Sequence, residues 1–240
     1  MHAFLLAAGR GTRISKDIPP IPKCTLDVGG EPLILHTIRL LQKNHMDVTV
    51  ITGYMHTYLE DIIKDRGAQI VYNPFYDVTN SIGSLWMAES QLDCTAQQII
   101  ANADVYWEQD ILDRLLSAKE EAVMLSDRSR ADTGDYFFQT ENGRIKAYGK
   151  ELTRDNRDCE YVGIASVKGA MAQCFIDSLD NLVESQQHGL WWENALYAIS
   201  DEKPVYALDV EGAFWAEVDT IEDYRRIMMY VDRKKKEIGI

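Results

Sequence analysis

Four cysteines in 240 residues, at positions 24, 94, 159 and 174, form no CxxC spacing and have no histidine pair beside them. That excludes a thiolate–imidazole zinc site and a CxxC redox centre, and it suits a reducing, cytoplasmic setting. No apolar run approaches 18 residues, so no membrane-spanning helix is expected. A core strand beginning at His2 leaves no room for a signal peptide ahead of it. Positive charge is scarce as well: 25 basic against 38 acidic residues give −13, which disfavours nucleic acid and anionic membranes as partners. No internal repeat or low-complexity tract is present, and the 46% hydrophobic content is that of a globular chain rather than a disordered one.

Within this acidic chain lies a basic island. Between Leu5 and Cys24 stand Arg10, Arg13, Lys16 and Lys23 against the single acid Asp17. The island begins with LLAAGRGTR, Leu5–Arg13, in which a short unbroken apolar run, Ala3–Ala7, reads as a buried strand ended by Gly9. A glycine turn after a strand lets the backbone approach a ligand closely, and phosphate is the commonest such ligand. Two familiar cradles are excluded. Gly9-x-Gly11-x-x-Ile14 lacks the third glycine of a dinucleotide fingerprint, and no GK[ST] follows to make a Walker A loop.

The pattern beyond the turn alternates. Helical spacing over Pro32–Lys43 is followed by a strand at Asp47–Thr52, a helix around His56–Arg66 and a strand at Gln69–Tyr72. Ser81–Gln91 reads as a helix, and Gln98–Ala101 as a buried strand ending at Asn102-Ala103-Asp104. A helix near Asp110–Lys119 leads into a strand at Ala122–Leu125. This order predicts an α/β fold: a Rossmann-like, three-layer α/β/α sandwich around a mostly parallel sheet. After residue 125 the character changes. Short strands at Asp135–Gln139, Arg144–Tyr148 and Tyr161–Val167 predict a small antiparallel β insert, followed by a helix over Ala170–Glu184 and a strand at Val205–Leu208. Thr220-Ile-Glu-Asp223 opens a last helix, whose basic run Arg233–Lys236 suits the helix dipole. We expect a single domain, 1–240, with a nucleotide-binding half to about residue 125 and an acceptor-binding half from about 126.

The composite Leu6-Ala7-Ala8-Gly9-x-Gly11-Thr12-Arg13, completed by the Pro22-Lys23 pair, resembles the signature of nucleotidyltransferases that make NDP-sugars and CDP-alcohols. Val71–Leu85 is similar to the FNxxYxxxNNxxSL segment of the bacterial phosphocholine and 2-aminoethylphosphonate cytidylyltransferase branch. Asn102-Ala103-Asp104, Trp191-Trp192-Glu193-Asn194 and Trp215-Ala-Glu217-Val-Asp219 match further motifs of that branch, so the likeness spans nearly the whole chain. The resemblance implies the nucleotide-diphospho-sugar transferase fold and a definite set of roles. Leu6, Ala7, Ala8, Gly9, Gly11 and Thr12 would line a triphosphate cradle, and Arg13 and Lys23 would neutralise the departing pyrophosphate. Asn80, Ser81 and Ser84, with Ala103 beside them, would meet the nucleobase, although Asn80 could equally cap a helix. Asp104 and Asp219 would hold Mg²⁺. Cytosine, and hence CTP, follows from the branch alone.

On the acceptor side, Asp135, Tyr136, Trp191, Glu193 and Glu217 combine aromatic faces with carboxylates, which suits a compact organic cation. Trp192 and Trp215 fall in the same motifs, and one of the tandem tryptophans is expected to pack in the core. Asp135-Tyr136 departs from the Glu-Trp pair usual in phosphocholine enzymes, so phosphocholine, phosphoethanolamine and 2-aminoethylphosphonate all stay open as acceptors. The expected partners are CTP and such an acceptor, used for surface-polymer decoration, with a homodimer compatible and neither nucleic acid nor membrane involved. Two alternatives stand beside this reading: a sugar-1-phosphate nucleotidyltransferase, for which Asn142, Asn156 and Asn194 could read hydroxyls, and a silent nucleotide-sensing module.

Overall fold

The computed structural model describes residues 1–11, 14, 20–237 and 239. Strand β1 (His2–Ala7) pairs in parallel with β2 (Asp47–Thr52) on one edge and β4 (Gln98–Asn102) on the other, and β3 (Gln69–Tyr72) adds in parallel outside β2. With both edges paired and both faces covered, β1 has no solvent side to mark with polar residues, and it reads as a continuous apolar run. Alternate residues of the sheet feed two cores. Ala3, Leu5 and Ala7 pack with α1 (Leu33–Lys43), α2 (His56–Ile63) and α4 (Gln109–Ser117) on one face. Phe4, Ile51 and Ile100 pack on the other against α3 (Ser81–Trp86), α5 (Gly169–Glu184) and α6 (Asn194–Tyr197).

Among the described residues nine strands form one sheet, in the order β3-β2-β1-β4-β9-β6-β10-β8-β7. Its second half comprises β6 (Ala122–Asp127), β7 (Phe137–Glu141), β8 (Arg144–Gly149), β9 (Cys159–Val167) and β10 (Tyr206–Asp209). The β7–β8 hairpin turns at Asn142-Gly143, both with positive φ, as a tight hairpin turn demands. Strand β9 corrects the sequence reading. Tyr161–Val167 was expected in a small antiparallel β insert; β9 is antiparallel, to both β4 and β6, but lies inside the main sheet. All nine of its residues are buried, because its edges are paired and its two faces pack into the two cores. Its start also pairs with β7, so the hairpin folds back onto the sheet rather than standing apart from it.

Other departures are small. The helix expected over Ser81–Gln91 ends at Trp86, and a separate 3₁₀ turn covers Glu89–Gln91. A two-stranded ribbon, β5 (Val105–Tyr106) with β11 (Ala216–Glu217), escaped the sequence reading altogether. The last helix, α7 (Ile221–Glu237), packs beside it. Among the described residues, no helix is long and apolar enough to cross a membrane.

Candidate active site

At the carboxyl end of β1 the chain turns outward, and Leu6, Ala7, Ala8, Gly9 and Gly11 line a cavity of about 230 Å³. Ligands of open α/β sheets gather at this end of the strands. Gly11 has a φ of +60°, and a Cβ there would fall 2.6 Å from Cγ of Lys23. A side chain at Gly11 would therefore strain the backbone and push away the lysine stem packed over the turn. Lys23 stands in a 3₁₀ turn, Lys23–Thr25, anchored where Thr25 N donates to Pro22 O at 2.9 Å. Thr12 and Arg13, assigned to the same cradle from the sequence, lie outside the described residues.

Across the cavity stand Ala103 and Asp104. Ala103 N donates to Leu6 O at 3.1 Å, continuing the β1–β4 pairing past the end of β4. The β5–β11 ribbon then brings a distant segment to the same place: Glu217 pairs with Val105, and Val218 N donates to Asp104 O at 2.9 Å. Carboxylate oxygens of Asp104, Glu217 and Asp219 consequently lie within 4.8 Å of one another. Lys23 Nζ donates to Asp104 Oδ2 at 3.4 Å and to Asp219 Oδ1. Burial works against the Lys23 charge, but Asp104 and Asp219 hold the ammonium above its ordinary range. Burial pushes the Asp104 carboxyl up, with the Lys23 ammonium opposing it and the Asp219 charge adding to it. Three convergent hard oxygen donors fit a divalent cation such as Mg²⁺. Glu217, expected on the acceptor side, belongs to this acidic group as well.

Asn80 caps α3, its side chain accepting from Ser81 N at 2.8 Å, and its Nδ2 donates to Gly189 O at 3.3 Å. The capping reading of Asn80 therefore holds, and the residue also lines the cavity with Ser81 and Ser84. Ser84 Oγ accepts from Asn73 Nδ2 at 3.0 Å.

A second cavity, of about 180 Å³, adjoins the first, and Ser81, Asn102 and Glu217 line both. Here lie Asp135, Tyr136, Trp191 and Glu193, residues the sequence placed together. The ring of Tyr136 is 5.6 Å from that of Trp191 at 70°, an edge-to-face pair. Glu193 is only 6% exposed. Burial pushes its carboxyl up to about 7, although Tyr161 and Asn102 beside it favour the ionised form. Asp135 Oδ2 accepts from Lys150 Nζ at 2.5 Å on the exposed rim. Trp192 is the tryptophan that packs in the core: it is fully buried, and its Nε1 donates to Asn102 Oδ1 at 3.0 Å. Trp215 is displaced from expectation. It is 5% exposed and stands outside this lining, because its indole points to Asp127.

Residues 3–198 match the MobA-like NTP transferase domain. The chain belongs to that family. A MobA-like NTP transferase moves a nucleotidyl group, and this protein is a nucleotidyltransferase enzyme. It is similar to choline-phosphate cytidylyltransferase of Streptococcus pneumoniae, with 25% identity over 230 residues, 95% of this chain and 96% of the relative. CTP:phosphoglutamine cytidylyltransferase of Campylobacter jejuni is 24% identical over 247 residues, covering 93% of this chain and 97% of that one. Among solved structures, CTP:phosphocholine cytidylyltransferase from Streptococcus pneumoniae superposes with a TM-score of 0.77 at 22% identity, over 96% of this chain and 98% of that chain. That last likeness establishes the nucleotide-diphospho-sugar transferase fold.

Sequence reasoning gave no role to several residues in or behind the two cavities. Asn73 is fully buried and ties Phe75 N, Thr79 Oγ1 and Ser84 Oγ into one turn. Glu160, Tyr161 and Tyr197 line the second cavity from β9 and α6. Asn73 carried a signal in its Asn-Pro step. Glu160 was an acid beside the mostly apolar run Tyr161–Val167, a recognisable sign of a buried, paired carboxylate.

Proposed function

We propose that this nucleotidyltransferase is a CTP-dependent cytidylyltransferase that transfers CMP to a small cationic phosphorylated alcohol or phosphonate, releasing pyrophosphate. The observation that carries the reading is the junction of the two cavities: a glycine-turn cradle meets an aromatic pocket holding the buried Glu193, and Glu217 lines both. An acceptor phosphate oxygen attacks the α-phosphorus. The new O–P bond forms as the bond to the β-phosphate oxygen breaks, and its electron pair leaves with pyrophosphate. The nucleophile is already an anion, so the protein's work is alignment and charge neutralisation. Asp104, Glu217 and Asp219 would hold a divalent cation, Mg²⁺ by the hardness of the donors, which when bound supplies charge neutralisation at the phosphates. Lys23, together with Arg13, meets the leaving phosphates, and Asn80, Ser81 and Ser84 meet the base.

Tyr136 and Trp191 offer ring faces to the acceptor cation, and Glu193 offers its countercharge. The names of the relatives, which speak of choline phosphate and phosphoglutamine, support a phosphorylated organic acceptor. The sugar-phosphate alternative is the weaker. Asn142 stands in the β7–β8 turn, Asn156 bonds Gln139 and Asn194 accepts from Trp191 N, so among the described residues none of the three lines the acceptor cavity. The reading is tested by pyrophosphate release from CTP, UTP, GTP and ATP, each offered with phosphocholine, phosphoethanolamine, 2-aminoethylphosphonate and glucose 1-phosphate. Turnover confined to CTP with cationic acceptors is expected. Turnover confined to the sugar phosphate overturns the acceptor assignment, and silence across the matrix favours a sensor.

A further inference from the structure

The β5–β11 ribbon is two residues long on each side, yet it positions two of the three clustered carboxylates. A two-stranded pairing of that length has no independent stability in water. Something behind it must fix Glu217 and Asp219, and Trp215 is placed to do so. Its Nε1 donates to Asp127 Oδ2 at 2.8 Å, and Arg226 Nη2 donates to its carbonyl oxygen at 3.1 Å. Asp127 is buried, and its other oxygen accepts from Ser129 N and Oγ at 2.9 and 2.6 Å, so both ends of the carboxylate are satisfied. The Arg130 guanidinium lies 5.3 Å from the indole centroid, and its Nε ion-pairs with Glu160.

Glu160 belongs to the other cavity. It is 5% exposed, lines the acceptor pocket and accepts from Asp135 N at 2.8 Å. Gly134 leaves room for this: a Cβ there would fall 2.4 Å from Glu160 Cδ. A continuous chain of contacts therefore runs from the acidic cluster through the buried Trp215 and the half-buried Arg130 to the acceptor wall.

We propose that Trp215 is a positioning residue for Glu217 and Asp219, and that the Arg130–Glu160 pair couples their placement to that of the acceptor pocket. This rests on the reading of those carboxylates as cation ligands. Trp215→Phe keeps the ring under Arg130 but removes the Nε1–H, leaving Asp127 Oδ2 without that donor. Loss of such an outer contact is expected to weaken binding of Mn²⁺, followed by the electron-spin-resonance signal of the free ion, by about tenfold. The KM for CTP should stay within about twofold, since the glycine cradle is untouched. Arg130→Lys keeps the charge toward Glu160 and loses the flat face over the indole. It should weaken Mn²⁺ binding and raise the acceptor KM together. Circular dichroism and melting curves establish that each variant is folded. A folded Trp215→Phe protein that binds Mn²⁺ like the wild type overturns the positioning role, and an Arg130→Lys protein with only the acceptor KM changed overturns the coupling. A wild type that binds no Mn²⁺ removes the inference with its premise. By contrast, a wild type that binds Mn²⁺ but turns over no nucleotide–acceptor pair counts against the functional reading alone, and the Mn²⁺ comparison still decides the role of Trp215.

Discussion

The nucleotide cavity is walled by Leu6, Ala7, Ala8, Gly9 and Gly11, whereas the acceptor cavity is walled by Tyr136, Trp191, Tyr161, Tyr197 and the buried Glu193. The first has a floor of mostly small side chains and main-chain groups from one stretch of sequence, with Lys23, Asn80 and Asp104 brought to its walls from others. The second offers large side chains gathered from β9, α6, the segment leading into α6 and the loop before β7. A triphosphate is the same in every nucleotide, and a local backbone turn can serve it. An acceptor substituent has to be told apart from similar molecules, which takes shape and charge delivered by side chains. Substitutions should separate the two regions accordingly, those on the nucleotide side acting on turnover and those on the acceptor side on affinity and choice.

The largest effect is expected where the regions meet. Asp219→Ala removes one carboxylate of the acidic cluster and one of the two partners of Lys23. Pyrophosphate release should fall by about 10³-fold, with the far-ultraviolet circular dichroism unchanged. Retained turnover would remove Asp219 from the cation site. Gly11→Ala comes next. With φ at +60° and Lys23 Cγ 2.6 Å from the new Cβ, turn and lysine cannot both stay in place. We expect kcat/KM for CTP to fall by about 100-fold, ~2.7 kcal/mol, with the acceptor KM unmoved. An equal rise in both Michaelis constants would show that the two regions are not separable.

The same contrast explains what could be read from the sequence. The glycine turn, Lys23 and the alternating elements up to residue 125 were legible because strand, turn and ligand contacts are neighbours in sequence. The pairing of Asp104 with Asp219 was legible only through the family resemblance, since the ribbon that brings them together is too short to leave a periodic pattern, and Glu217 as the third member of their cluster was not foreseen. The central place of β9 was hidden for another reason: burial leaves a pattern in sequence, while the choice of partner strand does not. Trp215 was misassigned to the acceptor pocket because proximity in sequence to Glu217 says nothing of side-chain direction. Residues two apart share a face in a regular strand, but Trp215 precedes β11 and its indole turns away to Asp127.

Glu193→Gln tests the acceptor side with a smaller effect. Replacing the buried countercharge by a neutral isostere should raise the KM for a cationic acceptor by about 30-fold, ~2 kcal/mol, and leave that for CTP unchanged. The pH dependence follows the same carboxyl. Its value in the folded protein is raised to about 7, so the negative charge is present above that pH and is lost as the pH falls through it. In the wild type, kcat/KM for the acceptor, which reports groups of the free enzyme, should decline below about 7. The acceptor phosphate titrates near 6 and adds its own limb, which Glu193→Gln will retain while losing the one near 7. A decline near 7 that persists in the variant assigns the proton elsewhere.

The smallest effect should come from Tyr136→Trp, which changes which cation is preferred rather than whether one is bound. Tyr136 sits edge-to-face with Trp191 and parallel to Tyr197, 6.2 Å away at 12°, so a larger ring has a surface to lie against. Indole attracts a cation more strongly than phenol, and its wider face covers more of a trimethylammonium group than of a primary one. The variant should improve kcat/KM for phosphocholine relative to phosphoethanolamine by about fivefold, ~1 kcal/mol. Competition between the two acceptors in one reaction measures that ratio directly and cancels any loss of total activity. An unchanged ratio would mean that Tyr136 only packs against Trp191 and Tyr197, and that discrimination among acceptors rests with the carboxylates.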